Sequence, residues 1–112
     1  MSEEETPVLD TLAEITAVSL ENCDLDNREL MISRIAALAA VDAPALSYLM
    51  NVGAAADSGI TVEDVQGILI AVAPIIGTAR TLSAATKITE ALGFAIAVIA
   101  AELEAELEAE EG

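Results

Sequence analysis

Histidine and tryptophan are absent from the 112 residues of the chain, and cysteine occurs once, as Cys23. A single cysteine excludes an intramolecular disulfide, and it excludes a resolving pair for thiol redox chemistry within one subunit. The only aromatic residues are Tyr48 and Phe94, so packing must rely on aliphatic side chains and on the 23 alanines. Alanine favours helices and lets them approach one another closely.

Basic residues are also scarce, since 4 stand against 20 acidic ones and give a net charge of −16. Nucleic acid is therefore excluded as a partner, because binding phosphates needs a basic patch. Much of the acid is concentrated at residues 3–5 and 102–111. We interpret this charge as keeping an apolar, oligomer-forming protein in solution, in preference to a site for a cationic partner.

Long hydrophobic runs are lacking as well, although the mean hydropathy is +0.58. The longest uncharged run, residues 65–79, has 15 residues and contains Pro74. A membrane-spanning helix needs roughly 18 to 20 apolar residues, and no basic and apolar signal segment opens the chain. The sequence therefore predicts a cytoplasmic protein with no membrane partner.

Helical patterning runs along the whole chain and predicts a single all-α domain, residues 1–112, of about six helices. Residues 1–5 are expected to be disordered. Residues 104–112 are expected to fray, because glutamates repel one another along a helix and oppose its dipole. The helices between Thr61 and Ala101 are apolar on nearly all sides, and so small a subunit cannot cover them. We therefore expect a homo-oligomer.

Several residues mark where helices begin and end. Asp26 and Glu29 form a capping-box pattern, and Thr61 precedes acids that suit a first helical turn. Pro74 is expected to kink or end the fourth helix. The fifth helix is predicted to end at Gly93 and a sixth to follow it.

The segment from Asp42 to Gly59 predicts a central helix, with Asp42 as its N-cap and Gly59 just beyond its last turn. Its apolar stripe is predicted to face the core. The stripe consists of Leu46, Leu49, Met50, Gly53 and Ala54. Gly53 is expected to let another backbone come close, with Gly67 of the next helix as the candidate.

An adjacent face of the central helix carries Pro44, Ser47 and Asn51 at helical spacing, and a site is expected there. If the amide of Asn51 bonds to protein groups such as Ser47 or Glu29, it is structural. If it bonds to water, the cavity that holds the water is a candidate ligand site. We favour the first arrangement, because most buried polar side chains are satisfied structurally.

Two charged residues that precede this helix, Glu29 and Arg34, each have two possible roles. Glu29 either closes its helix cap or acts as an acid or base in a pocket. Arg34 either extends to the protein surface or pairs with an acid such as Glu29. Cys23 is interpreted as incidental, since no neighbouring cation in the sequence lowers its thiol pKa.

Three segments, in this order, resemble the carboxymuconolactone decarboxylase and AhpD-like family. They are Leu25-Asp26-x-Arg28-Glu29-Leu30, Gly59-Ile60-Thr61-x-Glu63-Asp64-Val65 and Pro74-Ile75-Ile76-Gly77-Thr78-Ala79-Arg80. The resemblance covers about residues 25 to 92. It implies an AhpD-like helical subunit that assembles into trimers or hexamers.

In the redox branch of that family, the central helix carries Cys-x-x-Cys-x-x-x-His, with the histidine eight residues before the glycine that ends it. The corresponding positions here are Pro44, Ser47 and Asn51, so thiol peroxidase chemistry is not expected. The decarboxylase branch has the same histidine, so any acid–base chemistry must proceed without it. The glutamate of the Arg-Glu-Leu signature is kept as Glu29.

Two functions are compatible with these residues. The first is a helical homo-oligomer that binds a small ligand or serves a structural role. The alternative is a lyase or decarboxylase acting on a small carboxylated or cyclic substrate, with Glu29 and Tyr48 as its catalytic residues. The candidate ligand contacts, including those for a small carboxylate, are Arg28, Arg34, Ser47, Asn51 and Arg80. No cofactor and no metal site is predicted.

Overall fold

The computed structural model describes residues 5–111, and these residues form five α-helices with no strand among them. The helices are α1 Pro7–Asn22, α2 Asn27–Ala40, α3 Ala45–Asp57, α4 Val62–Ile76 and α5 Thr78–Glu111. The predicted all-α class is thus confirmed. The disorder predicted for residues 1–5 falls, except for Glu5, outside the described residues.

The last helix, α5, passes through Gly93 without a break and has 34 residues. The prediction that Gly93 ends a helix is therefore wrong, and the predicted fifth and sixth helices are one. A glycine inside a helix costs only about 1 kcal/mol, and the alanines and leucines on both sides are strong helix formers. The helix extends about 51 Å at the usual rise per residue.

By length and composition, α5 is able to cross a membrane, with a mean hydropathy of 1.5 over its most apolar 18 residues. Counting uncharged runs missed this stretch, because Lys87 and Glu90 interrupt it. The core helix of a water-soluble protein passes the same test. The helix is therefore weak evidence for a membrane location.

The predicted starts of α2 and α4 are confirmed. The Asp26 carboxylate accepts a hydrogen bond from the backbone N–H of Glu29 at 2.8 Å, and the Glu29 carboxylate accepts one from the Asp26 N–H at 3.3 Å. Thr61 and Asp64 form the same capping box at the start of α4. Gly59 lies just beyond α3 with φ +77°, a conformation that glycine adopts without strain.

The predicted cap of the central helix is wrong. Helix α3 begins at Ala45, and Pro44 occupies the N-cap position with no side-chain cap. Asp42 has a left-handed backbone, with φ 54°. Its carboxylate accepts hydrogen bonds from Ser83 Oγ at 2.7 Å and from Lys87 Nζ at 2.9 Å. Asp42 therefore ties the α2–α3 turn to α5 and does not cap α3.

Helices α2 to α5 pack together around an alanine-rich core. Helix α3 packs on α5 and α2 packs on α4, while α5 also contacts α2 and α4. The main buried cluster consists of Ala39, Ala43, Tyr48, Ala84, Ile88 and Ala91. Because alanine side chains are small, these helices approach closely around the single large ring of Tyr48.

Most of the apolar stripe predicted for the core side of α3 faces outward instead, although Leu49 packs against the core cluster. Leu46 and Met50 are 62% and 70% exposed, whereas Tyr48 is 5% exposed. Burying the tyrosine ring against the alanines of α5 turns the neighbouring stripe away from the subunit core. The prediction that this stripe is core is therefore wrong for the single chain, except at Leu49.

The predicted contact between Gly53 and Gly67 is also wrong within the chain. A Cβ atom built on either glycine meets no atom within 4 Å. Both glycines are exposed on the outer sides of their helices. Neither is needed for packing inside one subunit.

Helix α1 stands apart from the others. Within residues 5–111 it packs against no other helix, and none of its residues is buried. A side-chain hydrogen bond from Arg34 to Ser19 Oγ, at 3.2 Å, links it to α2. The packed part of the subunit is therefore formed by α2 to α5.

Candidate functional site

A cavity of about 130 Å³, partly open to solvent, lies among α2, α3, α4 and α5. Its walls are almost entirely apolar. They consist of Ile35, Tyr48, Asn51, Val52, Ala55, Ala56, Ile60, Thr61, Val62, Val65, Ile88, Ala91 and Leu92. Apolar cavities with a few polar groups in their walls are the usual form of small-molecule sites.

Tyr48 lines this cavity and carries a polar hydroxyl group. Its hydroxyl oxygen is buried and has no hydrogen-bond partner among the described residues. Burial raises the pKa of the Tyr48 hydroxyl, and the negative charge of Asp42 raises it further. The hydroxyl is therefore protonated at neutral pH and is able to donate a hydrogen bond.

Asn51 lies one helical turn after Tyr48 and lines the same cavity. Its Nδ2 donates a hydrogen bond to the backbone carbonyl of Ser47 at 2.8 Å. In the described part of the chain, its Oδ1 accepts no hydrogen bond from protein. The side chain thus follows the first of the two arrangements considered above, since its nitrogen bonds to Ser47, and the residue also lines the cavity.

Arg28 binds the α3–α4 turn and the first turn of α4. Its Nη2 lies 2.6 Å from Oδ1 of Asp64 and its Nη1 lies 3.0 Å from Oδ2, a bidentate pair. Nη1 also donates to the carbonyl of Gly59 at 3.0 Å. The hydrogen bonds with Asp64 raise the pKa of Arg28, and the same bonds, with those from Thr61, hold the pKa of Asp64 well below its usual range.

The remaining charged candidates also have partners outside the cavity. Arg34 bonds to Ser19 of α1, and Arg80 donates to the carbonyl of Ala40 at 2.9 Å. Glu29 closes the cap of α2. Of the seven candidate residues, Tyr48 and Asn51 line the cavity, and the other five are not part of its wall.

Sequence reasoning missed most of the wall, including the residues that α4 and α5 contribute. Val65, Ile88 and Leu92 reach the cavity only through tertiary packing, and no local signal distinguishes them from other core residues. Thr61 also lines the cavity, but its hydroxyl is bonded to Asp64 in the capping box. Within residues 5–111, no group of three acidic or cysteine side chains is placed to hold a metal ion.

In comparisons with known proteins, no family model, no curated protein and no solved structure matches the chain. The resemblance to the carboxymuconolactone decarboxylase family therefore stays a hypothesis. Any functional inference must rest on the residues and the geometry of the chain itself.

Proposed function

We propose that the chain is the subunit of a homo-oligomeric helical protein that binds a small, uncharged molecule in the Tyr48 cavity and lacks thiol peroxidase activity. The observations that support it are the apolar cavity that Tyr48 lines and the buried Tyr48 hydroxyl, which has no hydrogen-bond partner among residues 5–111. An unpaired buried hydroxyl costs about 1 to 3 kcal/mol. A ligand that accepts its hydrogen bond recovers that cost.

The size and charge of the site narrow the ligand class. A cavity of about 130 Å³ is close to one that takes a benzene-sized molecule. No basic side chain lines it, and the net charge of −16 repels anions. We therefore expect a compact ring or short chain that carries a carbonyl or ether oxygen.

The alternative, a lyase that uses Glu29 and Tyr48 on a carboxylated substrate, has less support. Glu29 is engaged in its helix cap. Arg28, Arg34 and Arg80 bond to protein groups away from the cavity. A carboxylate in the cavity would therefore have no cation to pair with.

Homo-oligomerisation is supported by the amount of surface that the chain exposes. Its accessible area is 7969 Å², roughly 2,000 Å² above the value for a compact monomer of its mass. Its radius of gyration is 16.7 Å, against about 13 Å for a compact domain of this length. Trimers or hexamers are the forms that the family resemblance implies.

The proposed absence of peroxidase activity is supported by the position of Cys23. It follows the last residue of α1, away from the cavity, and no second cysteine exists in the chain. A thiol peroxidase of this type needs an attacking thiolate and a second thiol that resolves the oxidised intermediate.

Ligand binding is testable by calorimetry with three probes of similar size: cyclohexanone, methylcyclohexane and cyclohexanecarboxylate. Cyclohexanone should bind wild type more tightly than Tyr48→Phe by roughly threefold to tenfold, the value of one hydrogen bond. Thr86→Val removes a hydroxyl that bonds to the carbonyl of Leu82, and it should bind like wild type. If cyclohexanone binds wild type and Tyr48→Phe equally, or if the carboxylate is the preferred probe, the proposal is wrong.

A further inference from the structure

Helix α1 has an apolar side with no partner among residues 5–111. Its large apolar side chains are all at least half exposed: Val8 71%, Leu9 57%, Leu12 53%, Ile15 60%, Val18 55% and Leu20 50%. Leu12 and Ile15 lie at the centre of this side, and Asp10, Glu14 and Glu21 lie opposite. We call the side centred on Leu12 and Ile15 the α1 face.

The second half of α5, residues 93–111, has the same character. One stripe along it is exposed and apolar: Ile96 66%, Ile99 55%, Leu103 54% and Leu107 58%. We call this stripe the α5 face. Together, the α1 face and the α5 face are the apolar surfaces that belong to helical segments without packing support.

Helices of this kind gain most of their stability from packing against a partner. Isolated helices shorter than about 12 to 15 residues are marginal in water, and most helical stability in proteins comes from packing an amphipathic side. Helix α1 has 16 residues and packs on no other helix of its chain within residues 5–111. Helices α3 and α4 also expose apolar residues, but they are held by their own subunit.

We infer that the α1 face and the α5 face form the contact between copies of this chain, an inference that rests on the proposed homo-oligomer. The proposed partner of both faces is a second copy of the chain, because the exposed area is large enough for an interface between copies. A standard interface buries about 800 Å² per partner, and the chain of 7969 Å² exceeds the area of a compact monomer by roughly 2,000 Å². This excess is more than twice the area that one partner buries in a standard interface.

The charge pattern predicts how this contact responds to salt. Glu102, Glu106 and Glu110 lie in or beside the α5 face, and the whole chain carries a net charge of −16. Like charges on two copies repel, and salt screens that repulsion. Association between copies should therefore tighten from 0.05 to 0.5 M NaCl, whereas association with a basic partner would weaken.

The test uses four full-length variants that leave the net charge unchanged. Leu12→Ser with Ile15→Ser alters the α1 face, and Ile99→Ser with Leu103→Ser alters the α5 face. The matched controls place serine on the opposite sides of the same helices. They are Ala13→Ser with Ala17→Ser, and Ala101→Ser with Ala105→Ser.

The expected result is a drop in mass for both face variants, measured by light scattering at 20 µM, with wild-type mass for both controls. Far-UV circular dichroism should show lost helix in the dissociated variants. The emission of Tyr48, the only tyrosine, should stay unchanged and so report an intact α2–α5 core.

Other outcomes separate this inference from the proposed assembly. If wild type is oligomeric and either face variant keeps the wild-type mass, the inference is wrong. The proposed homo-oligomer is then unaffected. A monomeric wild type in 0.5 M NaCl overturns both. In that case, binding of wild type to phosphatidylcholine vesicles or to a basic amphipathic peptide would identify the occupant.

Discussion

The carboxylate of Asp42 accepts a hydrogen bond from Nζ of Lys87 at 2.9 Å, across 45 residues of sequence. A second bond, from Ser83 Oγ, holds the same carboxylate oxygen. These bonds lower the pKa of Asp42, chiefly through Ser83 and then through Lys87. The pair fixes the turn that leads into α3, and it thereby sets the position of Tyr48.

A first prediction separates the backbone role of Asp42 from its side-chain role. Asp42→Gly keeps the left-handed conformation but loses both bonds, whereas Asp42→Ala loses the bonds and also strains the backbone at φ 54°. Both variants should melt below wild type, and the alanine variant should melt lowest. Equal melting temperatures for the two variants, measured by circular dichroism, would contradict this account.

A second prediction concerns acid stability. The pKa of Asp64 is lowered in the folded chain, first by its hydrogen bond with Arg28. A lowered pKa adds stability above the unfolded value of about 3.9, and the gain is lost as the pH falls through the folded value. Wild type should therefore exceed Asp64→Asn in stability at pH 7, and the difference should shrink below about pH 4.

Urea titrations of both proteins at pH 7, 5, 4 and 3 measure this difference. Glu63→Gln is the control, because it neutralises the neighbouring acid of the same helical turn outside the pair with Arg28. A constant gap between wild type and Asp64→Asn from pH 7 to pH 3 would mean that the ion pair contributes nothing.

A third prediction uses Tyr48. Because burial raises its pKa, ionisation followed by absorbance at 295 nm should have its midpoint above about 10. Because the pKa of Tyr48 is raised on folding, its contribution to the free energy of unfolding is fully present below about pH 10. That contribution declines as the pH rises further.

Tyr48→Phe should lack this alkaline loss. At neutral pH it should also be more stable than wild type by about 1 to 3 kcal/mol, because it removes an unpaired buried hydroxyl. A destabilised Tyr48→Phe would show that the hydroxyl is satisfied in solution by water or ligand.

A fourth prediction compares three glycines. Gly53 and Gly67 are helical and meet no atom within 4 Å of an added Cβ, so Gly53→Ala and Gly67→Ala should each stabilise the subunit by about 0.5 to 1 kcal/mol. Gly77, between α4 and α5, has φ +90°, so Gly77→Ala should lose about 1 to 3 kcal/mol. Denaturant unfolding of the three variants checks the ordering.

The fourth prediction has a second readout, the oligomer mass. If Gly53 or Gly67 allows two copies to approach closely, the alanine variant should have a more stable subunit. Its oligomer should nevertheless dissociate at low concentration, and the measured mass should then fall. Unchanged mass would show that neither glycine lies in a contact between copies.

A fifth prediction is that the protein does not turn over hydroperoxides, since its single thiol has no resolving partner. Once wild type has consumed one equivalent of hydrogen peroxide, its further consumption should equal that of Cys23→Ala. Sustained turnover by wild type alone would refute the proposed absence of peroxidase activity.

Local sequence signals predicted the helix starts better than they predicted the packing. The capping boxes at Asp26 and Thr61 depend on residues three apart, so the sequence alone determines them. The outward side of α3 was not predictable, because Leu46 and Met50 are more hydrophobic than much of the side that is buried. Hydrophobicity does not distinguish a surface covered by the same chain from one covered by another.

The candidate site was predictable only in part, for a related reason. Helical spacing placed Asn51 on a candidate face before the fold was known, whereas Tyr48 was proposed for its chemistry. The charged candidates were proposed from their chemistry. Their partners lie far along the sequence, as with Arg28 and Asp64 at a separation of 36 residues, so no local pattern revealed that they were already engaged.

Because α5 continues through Gly93 without a break, the side chains of its two halves follow one uninterrupted helical repeat. The first half is fixed by packing in the core, and so the direction of the stripe at Ile99 and Leu103 is fixed too. One residue inserted beside Gly93 would rotate that stripe by about 100° relative to the core, whereas seven would return it to nearly its original direction. The subunit thus sets the orientation of a surface about 12 to 18 Å beyond its last buried residue, Ala91, by the length of one helix alone.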